Sequence, residues 1–241
     1  MLIVVCGRFV VARAVSGALP ELLAELPEWN NVPENYNVAP TSTIPLIHNE
    51  TDVGSGEIHR VLDFAHWGFV AAWKKSFTER PQPFNARVET IATNGMFRSA
   101  FQRHRAIIPA MGYYEWRVMA DGSKVPYFIT APARGLALAA IFEDWTDSTL
   151  SADAPGRVRR SATIITRDAI GPAATVHDRM PVFLSPEDYD SWMGNSLSSA
   201  DQAVALLLAS SQRIAATLDL WPVDSRIGSV RQNDPELIAP A

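Results

Sequence analysis

The clearest indication of the fold is the sequence of residues 112–130, Gly-Tyr-Tyr-Glu-Trp-Arg-Val-Met-Ala-Asp-Gly-Ser-Lys-Val-Pro-Tyr-Phe-Ile-Thr. Two runs rich in aromatic and β-branched residues, Gly112 to Met119 and Val125 to Thr130, flank the turn sequence Ala120-Asp121-Gly122-Ser123. Such runs favour strands, and an Asp-Gly pair between two of them is typical of a tight turn. The segment therefore predicts a β-hairpin, and the other elements are placed around it.

Segments with strand and helix patterns lie on both sides of this hairpin. Apolar runs with strand character cover residues 44–48, 57–64, 136–142 and 162–166. Apolar spacing and capping residues predict helices over residues 19–26, 94–104, 185–193 and 200–210. Proline-, asparagine- or acid-rich surface loops are predicted over residues 30–43 and 147–157. With no internal repeat and no clean linker, the chain is predicted to be one mixed α+β domain with more strand than helix.

The composition limits the class of protein. Of the 241 residues, 47% are hydrophobic, which is enough to bury a substantial core. No apolar run approaches the length that crosses a bilayer, and a single cysteine excludes an internal disulfide framework. A net charge of −5 argues against a broadly basic nucleic-acid coat, although it leaves room for a local basic groove. We therefore expect a cytoplasmic protein with no membrane partner.

The single cysteine, Cys6, lies in the run Val5-Cys6-Gly7-Arg8-Phe9. If Cys6 were the N-terminal residue of the mature protein, its α-amine and its thiol would form a 1,2-aminothiol. This group condenses with an aldehyde, because the amine forms an imine and the sulfur then closes a five-membered thiazolidine ring. An amine with a pKa near ~8 and a thiol with a pKa near ~8.5 are both partly nucleophilic at neutral pH. The alternative is a lone cysteine that serves as a small buried hydrophobic residue.

The residues ahead of Cys6, Met1 to Val5, are too few for a secretory signal and lack a basic region and a small-residue cleavage site. Val5 suggests an explanation, because GTG encodes valine internally but initiates with methionine in bacteria. A start at Val5 would give Met-Cys-Gly-Arg, from which methionine aminopeptidase removes the methionine. We expect residues 1–5 to be a leader that is either a mis-assigned start or removed by self-cleavage. Residues 6–241 are then the single domain.

Two further segments place aromatic or polar side chains where packing alone does not require them. Residues 35–41, followed by Trp67 and Trp73, combine aromatic rings with proline and glycine. Such a stiff surface could stack bases at ~1–3 kcal/mol each, and the alternative is core tryptophans under a loop. Asn85 offers an amide that could orient an amine or a carbonyl, and Arg87 could reach a phosphate or a carboxylate. A helix N-cap would explain Asn85 nearly as well.

Two ionisable residues are candidates for proton transfer. Glu115 lies between Tyr114 and Trp116, and burial there would raise its pKa toward neutrality and suit it to shuttle protons. Because successive strand residues face opposite sides, a solvent-facing Glu115 remains the alternative. His177 is a candidate general acid or base, and the alternative is a structural histidine. The histidines show no paired ligand spacing and the cysteine has no partner, so neither a metal nor a cofactor is predicted.

Taken in order, these segments resemble the SRAP family, the SOS response-associated peptidases. The matching segments are Cys6-Gly7-Arg8-Phe9, Asn37-Val38-Ala39-Pro40-Thr41, Trp67-Gly68 with Trp73, Asn85-Ala86-Arg87-Val88-Glu89-Thr90, Gly112-Tyr113-Tyr114-Glu115-Trp116 and His177-Asp178-Arg179-Met180-Pro181. The segment from Pro222 to Leu237 is similar to the family's C-terminal strand, so the resemblance extends over nearly the whole chain. It implies an α+β fold with a sheet- or barrel-like β core and flanking helices.

The resemblance implies a sensor and shield of abasic sites in single-stranded DNA. Family members form a thiazolidine with the ring-opened aldehyde of the abasic deoxyribose, and a proposed self-processing step removes the residues ahead of the cysteine. Carried over to this sequence, the catalytic residues are Cys6, Asn85, Glu115 and His177. The DNA-binding residues are Arg8, Arg87 and Arg179 for phosphates and Pro40, Trp67 and Trp73 for bases. Thr166 is expected to support the site by a hydrogen bond.

Two other functions remain open. The first is a cysteine peptidase or amidohydrolase that acts on other proteins. It would use Cys6, His177 and Asn85, whose residue types are those of a thiol-protease site. The aromatic and arginine surface would also suit a noncovalent single-stranded DNA binder with steep salt dependence. For the abasic-site function, the expected partners are single-stranded DNA with abasic sites and the replication machinery, and the expected location is near the nucleoid. A monomer is expected, because one strand must thread to a single N-terminus.

Overall fold

The computed structural model describes residues 6–12, 22–23, 26–131, 135–194 and 196–241. The predicted leader, residues 1–5, and most of the predicted helix over residues 19–26 lie outside the described residues. Within the described ranges, no helix combines the length and the apolar content needed to span a bilayer.

Strands dominate the described chain, as the α+β prediction requires. The strands are β1 (Arg8–Val11), β2 (Asn35–Val38), β3 (Thr43–Thr51), β4 (Ile58–Trp67), β5 (Asn85–Arg87), β6 (Arg105–Ala110), β7 (Gly112–Val118), β8 (Lys124–Thr130), β9 (Leu136–Thr146), β10 (Val158–Asp168), β11 (Arg179–Pro181), β12 (Phe183–Leu184) and β13 (Asp219–Pro222). The α-helices are α1 (Arg98–Arg103), α2 (Tyr189–Met193) and α3 (Ala200–Ala215). Short 3-10 turns cover Pro27–Asn31, Gly171–Thr175, Pro186–Asp188, Ser225–Gly228 and Pro235–Ile238.

A closed barrel forms the larger half of the fold. Its strands follow the order β10-β4-β3-β6-β9, and β9 pairs with β10 to close the circle. The β10–β4 pair is parallel, whereas the other barrel pairs are antiparallel. Closure leaves no free edge within the barrel. The predicted α+β fold with a barrel-like core is confirmed.

The predicted hairpin is confirmed and lies in a second sheet, whose strand order is β13-β8-β7-β1-β2. At the turn, Gly122 has a φ of +82°, a conformation that glycine adopts without strain. Gly112, the first residue of β7, has to be a small residue, because a Cβ there would lie 2.4 Å from Cζ of Phe128. These two glycines lie at the two ends of the part of the hairpin that carries Glu115.

Both faces of this second sheet are covered. On one face, Phe9 and Tyr113 belong to the same buried cluster as the barrel residues, and the Phe9 ring lies 4.9 Å from the Trp67 ring. On the other face, Tyr114 packs with apolar residues of β8 and of the C-terminal segment, namely Phe128, Val223, Ile227 and Leu237. Because side chains alternate along a strand, Glu115 shares the barrel face with Tyr113.

The structure corrects three local predictions. The predicted loop over residues 30–43 contains β2, because Val38 pairs with Phe9 of β1. The predicted helix over residues 94–104 is confined to α1, after a series of turns. Ser185 does not cap a helix backbone; its hydroxyl donates to Oδ2 of Asp188 at 2.9 Å, and a 3-10 turn precedes α2.

Candidate active site

Cys6 lies just before β1, where its backbone and its burial are both unusual. Its φ is +45°, in the left-handed region that residues with a side chain rarely adopt, and such outliers are found at functional sites. The residue is fully buried, and its backbone nitrogen donates a hydrogen bond to Oε1 of Glu115 at 3.1 Å. Burial, and then the charge of Glu115, raise the pKa of the thiol well above its usual value. The resting sulfur is therefore a protonated thiol, whereas the nitrogen already contacts a proton acceptor.

Glu115 is 2% exposed, on the face of β7 that the barrel covers. Burial raises its pKa to about 8, although the backbone N–H groups of Cys6 and Trp116 act in the opposite direction. The prediction that Glu115 is desolvated is confirmed, and the alternative of a solvent-facing residue is wrong. A carboxyl group with this pKa can both donate and accept a proton near neutral pH.

His177 lies close both to the buried Glu115 and to the exposed Asp178. Its Nδ1 lies 3.7 Å from Oε1 of Glu115 and 2.9 Å from Oδ1 of Asp178, and it accepts a hydrogen bond from the Arg179 backbone N–H at 3.0 Å. The side chains of Glu115, His177 and Asp178 are 3%, 17% and 70% exposed, respectively. Exposure to solvent therefore increases from Glu115 through His177 to Asp178. Sequence reasoning missed Asp178, although it directly follows His177.

Asn85 and Thr166 lie on neighbouring strands at the carboxyl end of β10. Asn85 is opposite Ile164 in the parallel β5–β10 pair, and Thr166 is opposite Arg87 of β5 and Pro181 of β11. The strand position of Asn85 rules out the alternative of a helix N-cap. Thr166 is buried; its hydroxyl donates to the carbonyl of Ala86 at 3.5 Å and accepts from the Arg179 guanidinium at 3.4 Å.

Arg179 is held by two carboxylates. Its guanidinium contacts Oε1 of Glu89 at 2.8 Å and Oδ1 of Asp168 at 2.5 Å, and a second nitrogen donates to Oε2 of Glu89 at 3.0 Å. Burial lowers the pKa of Arg179, but these hydrogen bonds outweigh it and raise the pKa above its usual value. The guanidinium therefore stabilises β10 and β11 and is not available as an unpaired phosphate ligand in this arrangement.

The other two arginines singled out in the sequence are better placed to meet an anion. Arg8 is half-buried, donates to the carbonyl of Gly7 at 2.9 Å and makes no ion pair with a described carboxylate. Burial lowers its pKa. Arg87 is exposed at the end of β5, beside the carboxyl end of β10.

The two tryptophans differ in their environment. Trp67 is fully buried, and its ring N–H donates to the carbonyl of Phe84 at 2.9 Å. Its backbone holds the loop after Pro40 through bonds of 2.9 Å to Thr41 and to Ser42. Trp67 is therefore a core residue that positions the loop, and its ring is not accessible to a base. Trp73 is 66% exposed, as a stacking residue requires.

One group with metal-ligand chemistry occurs away from this site. The ligand atoms of His48, Glu50 and Asp63 lie within 4.8 Å of one another across β3 and β4. However, an Arg160 nitrogen lies 2.6 Å from Nε2 of His48 and 2.6 Å from Oδ2 of Asp63, so a guanidinium occupies the position that a cation would take. Spacing along the sequence could not reveal this group, because strand pairing brings it together.

Comparisons with known proteins agree with this architecture. Residues 5–230 match the model of the family described as SOS response associated peptidase (SRAP). The chain is 33% identical to the protein named abasic site processing protein YedK of Escherichia coli, over 98% of this chain and 99% of that one. It is 30% identical to abasic site processing protein YoqW of Bacillus subtilis, over 97% and 98%. A solved structure from Bacteroides thetaiotaomicron, 24% identical, superposes with a TM-score of 0.74 over 98% of this chain and 100% of that chain.

The family match covers most of the chain, so the protein belongs to the SRAP family. The solved structure has the same fold. The predicted family and fold class are confirmed.

Proposed function

We propose that this protein captures abasic sites in single-stranded DNA by forming a thiazolidine through Cys6. The observation that carries the proposal is the 3.1 Å contact between the Cys6 nitrogen and a buried Glu115 carboxyl with a pKa of about 8. The names of the Escherichia coli and Bacillus subtilis relatives support abasic sites as the substrate.

The first chemical step needs a free α-amine at Cys6. We therefore propose that residues 1–5 are absent from the reactive protein, through a later start or through self-processing. An α-amine has a pKa of about 8, and burial raises the pKa of Glu115 above its usual value, so the carboxyl group is able to exchange a proton with the amine near neutral pH. Glu115 removes the amine proton, and the amine attacks the aldehyde carbon of the ring-opened deoxyribose.

The remaining steps exchange protons but need no other reactant. The carbinolamine loses its hydroxyl as water after protonation, and an imine forms. The Cys6 thiol then adds across the C=N bond, so that one C–S bond forms and the nitrogen gains a proton. The net reaction releases one water. Glu115, with His177 and Asp178 as its path to solvent, supplies and removes the protons, and Asn85 orients the amine.

The proposed DNA-contacting residues are those whose side chains are exposed or are not held by carboxylates of the protein. Among the described residues, neither Arg8 nor Arg87 has a pair of carboxylates like the one that holds Arg179, so we propose them as the phosphate ligands. Trp73 is the proposed stacking residue, and Pro40 lies on the loop that Trp67 holds in place. Arg179, Thr166 and Trp67 support this surface from within.

The test is incubation with an oligonucleotide that carries one abasic site, followed by a denaturing gel. We expect a heat-stable shifted band for the wild type, no band for Cys6→Ala, and no band with an intact oligonucleotide. A band that survives in Cys6→Ala would contradict the proposal. Binding of intact and abasic strands alike, without a covalent band, would indicate a noncovalent binder. Turnover of an external peptide that is lost in Cys6→Ala would indicate a peptidase.

A further inference from the structure

The hydroxyl of Tyr113 is a buried polar group that the chemistry above does not use. Tyr113 lies on β7 two residues before Glu115, so both side chains face the barrel. The residue is 1% exposed, and its hydroxyl has no hydrogen-bond partner among the described residues.

Packing alone does not explain this hydroxyl. The Tyr113 ring contacts that of Phe183, with centroids 6.1 Å apart, and is opposite Phe9 in the β1–β7 register. Phenylalanine would fill the same space without burying an unpaired donor, which destabilises a fold. A buried donor without a partner calls for an explanation, and a role in catalysis is one.

Two groups of the proposed reaction, Cys6 and Glu115, influence the ionisation of the Tyr113 hydroxyl. After burial, the charges of Cys6 and Glu115 raise the pKa of Tyr113 well above its usual value, so the hydroxyl remains a donor at any working pH. Oε1 of Glu115 already accepts from the Cys6 nitrogen at 3.1 Å. The Cys6 sulfur is the group that becomes a strong acceptor during the reaction, because it must lose its proton to attack the imine.

We propose that the Tyr113 hydroxyl donates a hydrogen bond to the Cys6 sulfur as it becomes a thiolate, which makes Tyr113 a further catalytic residue. The proposal rests on the function proposed above. In the ring-closing step, the thiol proton passes to the Glu115 carboxylate and a sulfur electron pair forms the C–S bond to the imine carbon. The electron pair of the C=N double bond moves to the nitrogen, which takes up the proton from Glu115.

The first test needs no DNA. The rate at which iodoacetamide alkylates Cys6 is measured against pH in the full chain and in Tyr113→Phe. We expect the midpoint of the profile to rise by about one pH unit in Tyr113→Phe, because a donor to the thiolate has been removed. The melting temperature should stay the same or rise, because no described contact is lost. An unchanged midpoint in a folded Tyr113→Phe would overturn the proposal.

The matched control is Tyr114→Phe. The Tyr114 hydroxyl donates to the carbonyl of Tyr36 at 2.9 Å on the opposite face of the sheet. This variant should melt at a lower temperature and keep the wild-type alkylation midpoint. Equal midpoint shifts in both variants would overturn the proposal, since they would reflect general loosening.

Combining Tyr113→Phe with Glu115→Gln identifies the acceptor of the Tyr113 hydrogen bond. If the hydroxyl acts on sulfur, the shift caused by Tyr113→Phe persists when Glu115 is replaced by glutamine. If the shift vanishes in Glu115→Gln, the acceptor is the carboxyl group and the proposal is overturned. With abasic DNA, Tyr113→Phe should crosslink about tenfold more slowly, in line with one lost hydrogen bond to a charged group. An absent crosslink in the wild type would defeat the proposed function, whereas the alkylation profiles test Tyr113 independently.

Discussion

The backbone nitrogen of Cys6 donates to Oε1 of Glu115 at 3.1 Å, although the two residues are 109 positions apart. The contact joins the segment just before β1 to the middle of β7, and both residues belong to or face the buried cluster that includes the barrel. An amine formed at Cys6 would therefore have a proton acceptor in place before any substrate arrives. Such preorganisation is the usual source of efficient proton transfer.

Replacing the carboxyl group should abolish most of the reaction. Glu115→Gln keeps the shape and the hydrogen bond but cannot exchange a proton, so the crosslinking rate should fall by about 10²–10⁴-fold. Single-turnover gels over time measure the rate. The matched control is Glu143→Gln, because Glu143 is also buried and lies 3.1 Å from a histidine, His104, outside the site. Equal losses in both variants would contradict a specific role for Glu115.

The raised pKa of Glu115 also makes a prediction about stability. The folded value of about 8 exceeds the ordinary 4.5, so between these values the folded protein binds a proton that the unfolded chain lacks. The wild type should therefore lose stability relative to Glu115→Gln as pH rises from about 4.5 to about 8, and the difference should level off above that. Denaturant unfolding at several pH values measures it. A pH-independent difference would argue that Glu115 has an ordinary pKa.

The two tryptophans should respond to truncation in opposite ways. Trp67→Ala removes a fully buried ring and should lower the free energy of unfolding by about 3–5 kcal/mol. Trp73→Ala removes an exposed ring and should leave stability nearly unchanged while weakening DNA binding by about 1–3 kcal/mol. Chemical denaturation and fluorescence anisotropy provide the two readouts. Unchanged DNA affinity in Trp73→Ala would remove it from the DNA surface.

Substitution of Arg87 should affect DNA binding, whereas substitution of Arg179 should affect the stability of the fold. Arg87→Gln should reduce the salt dependence of single-strand binding by about 0.7 in the slope of log K against log salt, because one phosphate contact is lost. Arg179→Gln leaves Glu89 and Asp168 without their cation and should destabilise the fold. Its salt slope should stay near the wild-type value. A smaller slope in Arg179→Gln, with normal stability, would show that it contacts phosphate.

Local features of the sequence predicted the elements that depend on local chemistry. The Asp-Gly turn and the aromatic runs of residues 112–130 specified the hairpin before any long-range pairing was known. The closure of the barrel depends on the β9–β10 pair and the parallel β10–β4 pair, which leave no periodic signal. Resemblance to a family, and not residue patterning, supplied the expectation of a barrel.

The same limit applies to the candidate site. The sequence pointed to Glu115 and His177. In the fold, Glu115 accepts from the Cys6 nitrogen, and His177 lies 3.7 Å from Glu115. The sequence could not show that Arg179 is held by Glu89 and Asp168, because the fold decides which carboxylates reach a cation. The burial of Trp67 likewise follows from packing against Phe9 on another sheet.

The most direct measurement is the intact mass of the crosslinked product, followed by peptide mapping. The account predicts the mass of residues 6–241 plus that of the abasic oligonucleotide minus one water, with the adduct on the peptide that begins at Cys6. Borohydride should leave the product unchanged, because a closed thiazolidine has no imine to reduce. A product that retains residues 1–5, or one whose adduct lies on a lysine, would contradict the account.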